Sequence, residues 1–203
     1  LLGVTLDAQL RLSAHIGEVT SKARRQLGFC LRVSKGAGSK TLRQLFTALV
    51  LPQLDNCSPI WNPHQLHLVA ALGSVQRRAA YAILKRQTHS NLARCRDMRT
   101  VDMLQAVGWQ PLGLRRGVAS ARLLANILRI QPDVLPGALR QNRSGILQPV
   151  FARTERHRQS FAVRTIAHWR SLPTSLTQRS PTSREEMELF RREVASHLRN
   201  SPS

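Results

Sequence analysis

The chain has 203 residues, 42% of them hydrophobic, and sets 31 Lys+Arg against 11 Asp+Glu for a formal net charge of +20. That much apolar content can bury a core and argues against a wholly disordered chain, while a charge this large disfavours compaction unless phosphates or acidic lipids neutralise it. Of the basic residues 27 are Arg and 4 are Lys, a bias suited to phosphate because the planar guanidinium grips it bidentately. Three widely spaced cysteines, Cys30, Cys57 and Cys95, fit a reducing, intracellular compartment better than a disulfide framework. No run approaches the ~20 apolar residues of a membrane span. Residue 1 is a Leu inside a strand-like pattern, which predicts a sequence cut from a longer protein.

Leu2, Val4 and Leu6 alternate with Gly3 and Thr5 and predict a short strand or hairpin arm over residues 1–12. From Ser13, expected as an N-cap, Ile16, Val19, Ala23, Leu27 and Leu31 recur at helical spacing, with Lys22, Arg24, Arg25 and Arg32 elsewhere around the helix. Gly36 and Gly38 break it, Ser39 is placed to cap the next helix, and Leu42, Leu45, Phe46, Leu49 and Val50 form its stripe until Pro52 kinks or ends it. A third stripe runs Leu66, Val69, Leu72, Val75, Ala79 and Ile83 on a helix that carries Arg77, Arg78, Lys85 and Arg86. A short helix over Thr100–Val107 stops at Gly108, and a longer one follows Pro111 to about Ile130. Pro132, Pro136, Gly137, Gly145 and Pro149 mark residues 131–150 as a linker. Residues 151–203 form a basic extension that opens on a very basic stretch, with Arg153, Arg156, Arg158 and Arg164 set against Glu155 alone. It closes on a helix that Ser183 and Glu186 begin as a capping box. The expected fold is mainly α, a helical bundle over residues 13–130 preceded by one strand and followed by a helical extension. Trp61, Trp109 and Trp169, each near a Pro at a helix end, are expected as core anchors, with Phe29 and Phe46.

In order along the chain stand Leu2-Gly3-Val4-Thr5-Leu6-Asp7 with His15-Ile16 and Lys22-Ala23, then Leu49-Val50-Leu51-Pro52 and Ser58-Pro59-Ile60-Trp61-Asn62-Pro63. Val75-Gln76-Arg77-Arg78-Ala79-Ala80 follows, then Gly108-Trp109 with Pro111-Leu112 and Arg115-Arg116. Last come Ser160-Phe161, Arg164-Thr165-Ile166, Trp169 and Ser171-Leu172-Pro173. This series resembles the thumb and post-thumb end of reverse transcriptases from jockey-like and chicken-repeat-like LINE elements, and covers most of the chain. Leu1, Tyr81 and Arg170 depart from that pattern.

The resemblance implies a helical thumb that packs on the template-primer duplex, a nuclear site of action for the parent element, and missing palm, fingers and endonuclease domains. The partners it implies are RNA/DNA hybrid, element RNA and target DNA. The complete enzyme would use Mg held by a palm Asp-Asp pair. No Asp-Asp pair occurs here, so no catalytic residue and no metal or other cofactor is expected in this chain. The adjacent acids Glu185 and Glu186 lie in the first turn of the last helix and are read as capping. Cys57, His64 and His67 lack the second Cys of a zinc finger. No Gly-rich phosphate loop is present. The expected nucleic-acid contacts are Arg77, Arg78, Lys85 and Arg86, then Arg24 and Arg25, then Arg153, Arg156 and Arg158. Aromatics at 4% favour a duplex over a stacked single strand. Two other origins share this composition: a stand-alone basic RNA-binding or scaffold protein derived from a retroelement, and a truncated copy without function.

Overall fold

The computed structural model of the chain describes residues 3–6, 12–87, 97–130, 147–149, 151–177, 181 and 183–200, with Arg156 described by its backbone alone. Among the described residues the fold is mainly helical and none lies in an extended strand. The chain divides into two compact units, Leu1–Gly113 and Leu114–Ser203. Residues 131–146, at the predicted linker, are outside the described set.

The first unit comprises α1 (Ser13–Val33), α2 (Ser39–Leu45), a π-helical segment (Phe46–Val50), α3 (Leu51–Asp55), α4 (Ser58–Trp61), α5 (Leu66–Gln87) and α6 (Thr100–Ala106). The predicted strand is absent from its described part: Gly3 sits in a turn with φ +76 and residues 4–6 are irregular. A lone arm leaves its ladder groups unpaired, and no described strand is there to pair with it. Ser13 and Ser39 are the first residues of their helices rather than caps; Leu12 and Gly38 hold the cap positions, without side-chain cap bonds.

Around α1 the buried side is Ile16, Thr20, Ala23, Leu27, Cys30 and Ser34. Small and weakly polar groups thus share the core face, where the predicted stripe has Val19 and Leu31, which lie half-buried at its edges. Phe29 is 46% exposed, which corrects its expected core place. At 100° per residue it lies on the opposite side of α1 from Leu27, between Arg25 and Arg32. Leu66 is likewise exposed, at the first turn of α5.

Pro52 does not stop the chain. Leu42, Phe46, Val50 and Leu54 are each fully buried at a strict spacing of four. On a regular α-helix that spacing drifts by about 40° per step. The wider π turn takes up the drift and carries the helix into α3, where Pro52 occupies the first turn. Trp61 closes this region: its side chain is fully buried and its indole Nε1 donates to the Asn56 carbonyl at 2.7 Å. Trp109 stacks on Phe46 with ring centroids 4.5 Å apart. Gly108 ends α6 with φ +66, and its N–H donates to the Gln105 carbonyl.

α7 (Leu112–Ile130) begins at the end of the first unit and continues into the second. The second unit adds α8 (Glu155–Arg158), α9 (Phe161–Ser171), α10 (Thr174–Thr177) and α11 (Arg184–Asn200). Val118, Leu124, Ile166, Trp169, Phe190 and Val194 form the body of its core. The capping box forms as the sequence implies: the Ser183 N–H donates to Glu186 Oε2 at 3.1 Å, and the Glu186 N–H donates to Ser183 Oγ at 3.0 Å.

Candidate nucleic-acid interface

Charge is shared evenly by the two units. Residues 1–113 hold 15 Lys+Arg and 5 Asp+Glu, and residues 114–203 hold 16 and 6, a net +10 on each. Within the first unit the basic side chains gather on α1 and α5.

These two helices run parallel. Arg24 Nη2 donates to Ser74 Oγ at 3.1 Å near the middle of the pair, and Arg86 Nη1 donates to Ser34 Oγ at 3.0 Å at its end. The outer stripe of α5 is His67, Ala70, Ser74, Arg78 and Lys85, all exposed, with half-buried Tyr81 between the last two. Arg78 and Lys85 make no hydrogen bond or ion pair among the described residues, and Arg24 reaches Ser74 one turn before Arg78. An unpaired cationic stripe with a third cation, the Arg24 guanidinium, at its edge can track a phosphate backbone.

The other predicted residues of this unit have different places. Arg77, on the flank of α5 towards α6, donates from Nη1 to Thr100 Oγ1 at 3.2 Å, and its Nη2 lies 3.5 Å from the Met98 carbonyl. Arg86 is half-buried on the other flank, bound to Ser34 and near the Ala37 carbonyl. Both join sequence-distant parts of the unit, and each is a brace before it is a contact. Arg25 is exposed but lies about 100° round α1 from Arg24. With Glu18 and Lys22 it lines a shallow cleft of about 890 Å³ opposite Pro52 and Gln53 of α3. The structure therefore does not join Arg25 to the α5 stripe.

In the second unit Arg153 is exposed, and Arg158 pairs with Glu155 at 3.1 Å. That pair is an i,i+3 contact in water and leaves Arg158 accessible. The Arg156 side chain lies outside the described residues. Arg164 is half-buried and donates from Nη1 to the Gln159 carbonyl at 2.8 Å; burial lowers its pKa, yet a guanidinium remains charged at any ordinary pH.

No protein-family model, curated protein or solved structure matches this chain. Among the described residues no group of three or more His, Cys, Asp or Glu could hold a metal ion. No described helix is long and apolar enough to cross a membrane.

Among the described residues the Cys30 thiol and His15 are deeply set, and burial pushes the thiol up. His15 is buried, its ring meets Trp61 edge-on with centroids 5.7 Å apart, and its Nδ1 accepts from the Thr5 N–H at 3.3 Å. Burial lowers its pKa, against a smaller upward pull from Glu18. An accepting Nδ1 requires the neutral ring, so His15 serves packing rather than phosphate binding.

Sequence reasoning missed the exposed Lys22, Arg25, Phe29 and Arg32 ridge of α1 as a unit. It also missed a set of arginines in the second unit, Arg122, Arg129, Arg184 and Arg191. Helical spacing carried a signal for both: residues 22, 25, 29 and 32 share one side, and 122 with 129, or 184 with 191, are seven apart.

Proposed function

We propose that this chain is the non-catalytic C-terminal part of an RNA-directed DNA polymerase of the non-LTR retrotransposon kind, and that it grips template-primer duplex through the outer face of α5. The observation that carries the reading is the exposed Arg78–Lys85 stripe with Arg24 at its margin, on a helical unit with a net charge of +10. A cationic helix face without a stacking platform fits sugar and phosphate contact along a duplex. The ordered series of motifs supports the family, and the lack of an Asp-Asp pair supports a non-catalytic role. Mg, palm, fingers and endonuclease belong to the complete enzyme, whose nuclear action on element RNA and target DNA is part of the same proposal.

The test is binding of the purified chain to a 20-base-pair RNA/DNA hybrid and to the matching DNA duplex across a salt series. The expected result on DNA is a logarithmic slope of about −0.9 for each phosphate neutralised. Absent or salt-insensitive binding refutes the proposal. In the presence of Mg and nucleotides no primer is extended; template-dependent extension by this chain alone refutes the non-catalytic assignment.

A further inference from the structure

The second unit contains a cleft of about 500 Å³ between α7 and the first two turns of α11. Its walls are unusual in charge. Arg122 and Arg129 stand seven residues apart on α7 with Asn126 between them, and Arg184 and Arg191 stand seven apart on α11. At 1.5 Å per residue each pair is separated by about 10 Å along its helix.

Arg122, Arg129 and Arg184 make no hydrogen bond or ion pair among the described residues. Arg191 is held by Glu188, whose Oε2 accepts from Nη1 at 2.9 Å, and Glu188 is also a lining residue. Among the described residues the cleft therefore carries four guanidinium groups and one carboxylate. α7 has no Asp or Glu along its length, so it supplies nothing to neutralise its own wall. Arg184 is the first residue of α11, where the positive end of the helix dipole disfavours a cation. Repulsion among these groups is relieved when an anion enters.

The shape and the remaining lining narrow the choice of anion. Among the described residues no aromatic side chain lines the cleft, and Met187 is the sole large apolar group beside Pro181 and polar Asn126 and Ser183. Such walls offer neither a stacking surface nor an apolar slot for a base. Two donors about 10 Å apart on each wall suit an extended polyanion more than one isolated phosphate.

We infer that this cleft is a second nucleic-acid site, which holds consecutive phosphates along one strand's backbone, whether or not that strand is paired, by Arg122, Arg129 and Arg184 and does not read bases. The inference rests on the nucleic-acid reading above for the source of the phosphates. It is otherwise independent of the α5 face, because it concerns another unit and another set of residues.

Two probes test it on the full chain: inorganic tripolyphosphate, and an abasic deoxyribose-phosphate octamer. Their affinities are measured for the wild type, for the R122Q/R129Q variant, and for R170Q/R192Q, which removes two exposed arginines outside the cleft and so matches the change in net charge. Circular dichroism and thermal midpoints establish that all three are folded alike. The expected result is a loss of about tenfold or more for both probes in R122Q/R129Q, against about threefold or less in R170Q/R192Q. Equal losses in the two variants would reduce the cleft to general charge and overturn the inference. Loss of tripolyphosphate with an unchanged octamer would overturn it in favour of a small polyphosphate ligand. If the cleft variant loses the octamer while no form of the chain binds hybrid duplex, the cleft stands and the polymerase reading falls.

Discussion

Replacing Arg78 and Lys85 together by Gln removes two charges that make no bond to the rest of the described structure. The folded state should therefore lose nothing measurable. If both groups touch phosphates, the salt slope on a DNA duplex falls in magnitude by about 1.8, from 0.9 per contact. Between 50 and 200 mM salt the wild type should then lose about twelvefold more affinity than the variant. Arg86→Gln supplies the contrast. Its guanidinium donates to buried Ser34 Oγ at 3.0 Å, and Ser34 Oγ in turn donates to the Cys30 carbonyl at 2.6 Å. Removing Arg86 leaves Ser34 one partner and also releases the long 3.5 Å bond to the Ala37 carbonyl, so the cost is chiefly that of the shorter hydrogen bond, about 1 kcal/mol. That corresponds to a fall of about 2–4 °C in thermal midpoint. Fluorescence anisotropy at five salt concentrations and a thermal melt separate the two outcomes. An unchanged slope in the Arg78/Lys85 variant, or a lowered slope with unchanged stability in Arg86→Gln, would refute the division into contacts and braces.

Three further substitutions or conditions test the fold. Gly108→Ala forces a side chain onto a backbone with φ +66 and sets its Cβ 3.2 Å from Arg43 Nη2, so urea denaturation should show a loss of about 1–2 kcal/mol; an unchanged midpoint would rule out this turn. Ser183→Ala removes the reciprocal cap of α11 and should cost about 1 kcal/mol, seen as fraying of α11 by amide exchange. Acid should destabilise the first unit through His15: its pKa is lowered by folding, so the unfolded chain binds the extra proton and stability rises with pH. The loss begins as pH falls through the ordinary histidine value of about 6.5 and is complete below the folded value. His15→Gln should flatten that dependence, and a profile that keeps its slope would exonerate His15.

The helices were legible because apolar residues recur at helical spacing through α1, α5 and α7, and because Gly108, Pro111 and the Ser183–Glu186 pair mark ends by local chemistry. The phase of the buried side was less so. Thr20 and Cys30 on α1, and Ser34 just past its end, fill core positions that hydropathy alone would not choose, and Phe29 went outward although it is the largest apolar residue of that helix. The basic character of the site was also plain, but not the division of labour within it. Arg24 meets a partner 50 residues away, Arg77 one 23 away and Arg86 one 52 away. Such contacts are set by tertiary packing. No local pattern separates Arg77 from its neighbour Arg78, yet one binds α6 and the other faces solvent.

The π turn at Phe46–Val50 has a consequence for which changes the chain can survive. Its outward residues Thr47, Ala48 and Leu49 are exposed, so exchanging any of them for another polar or small side chain should pass almost unnoticed. Losing one is a different event. A single deletion would return the segment to ordinary winding, and the eleven steps then left between Leu42 and Leu54 make about 1100°, within about 20° of three full turns. Leu54 would stay turned inward, and the route to Trp61 would keep its direction. An added residue is the opposite case, because it swings Leu54 and everything beyond by about 100°. The segment thus tolerates a lost residue better than a gained one, and a library of single-codon deletions and insertions should show deletion tolerance here beside substitution tolerance at the same three positions.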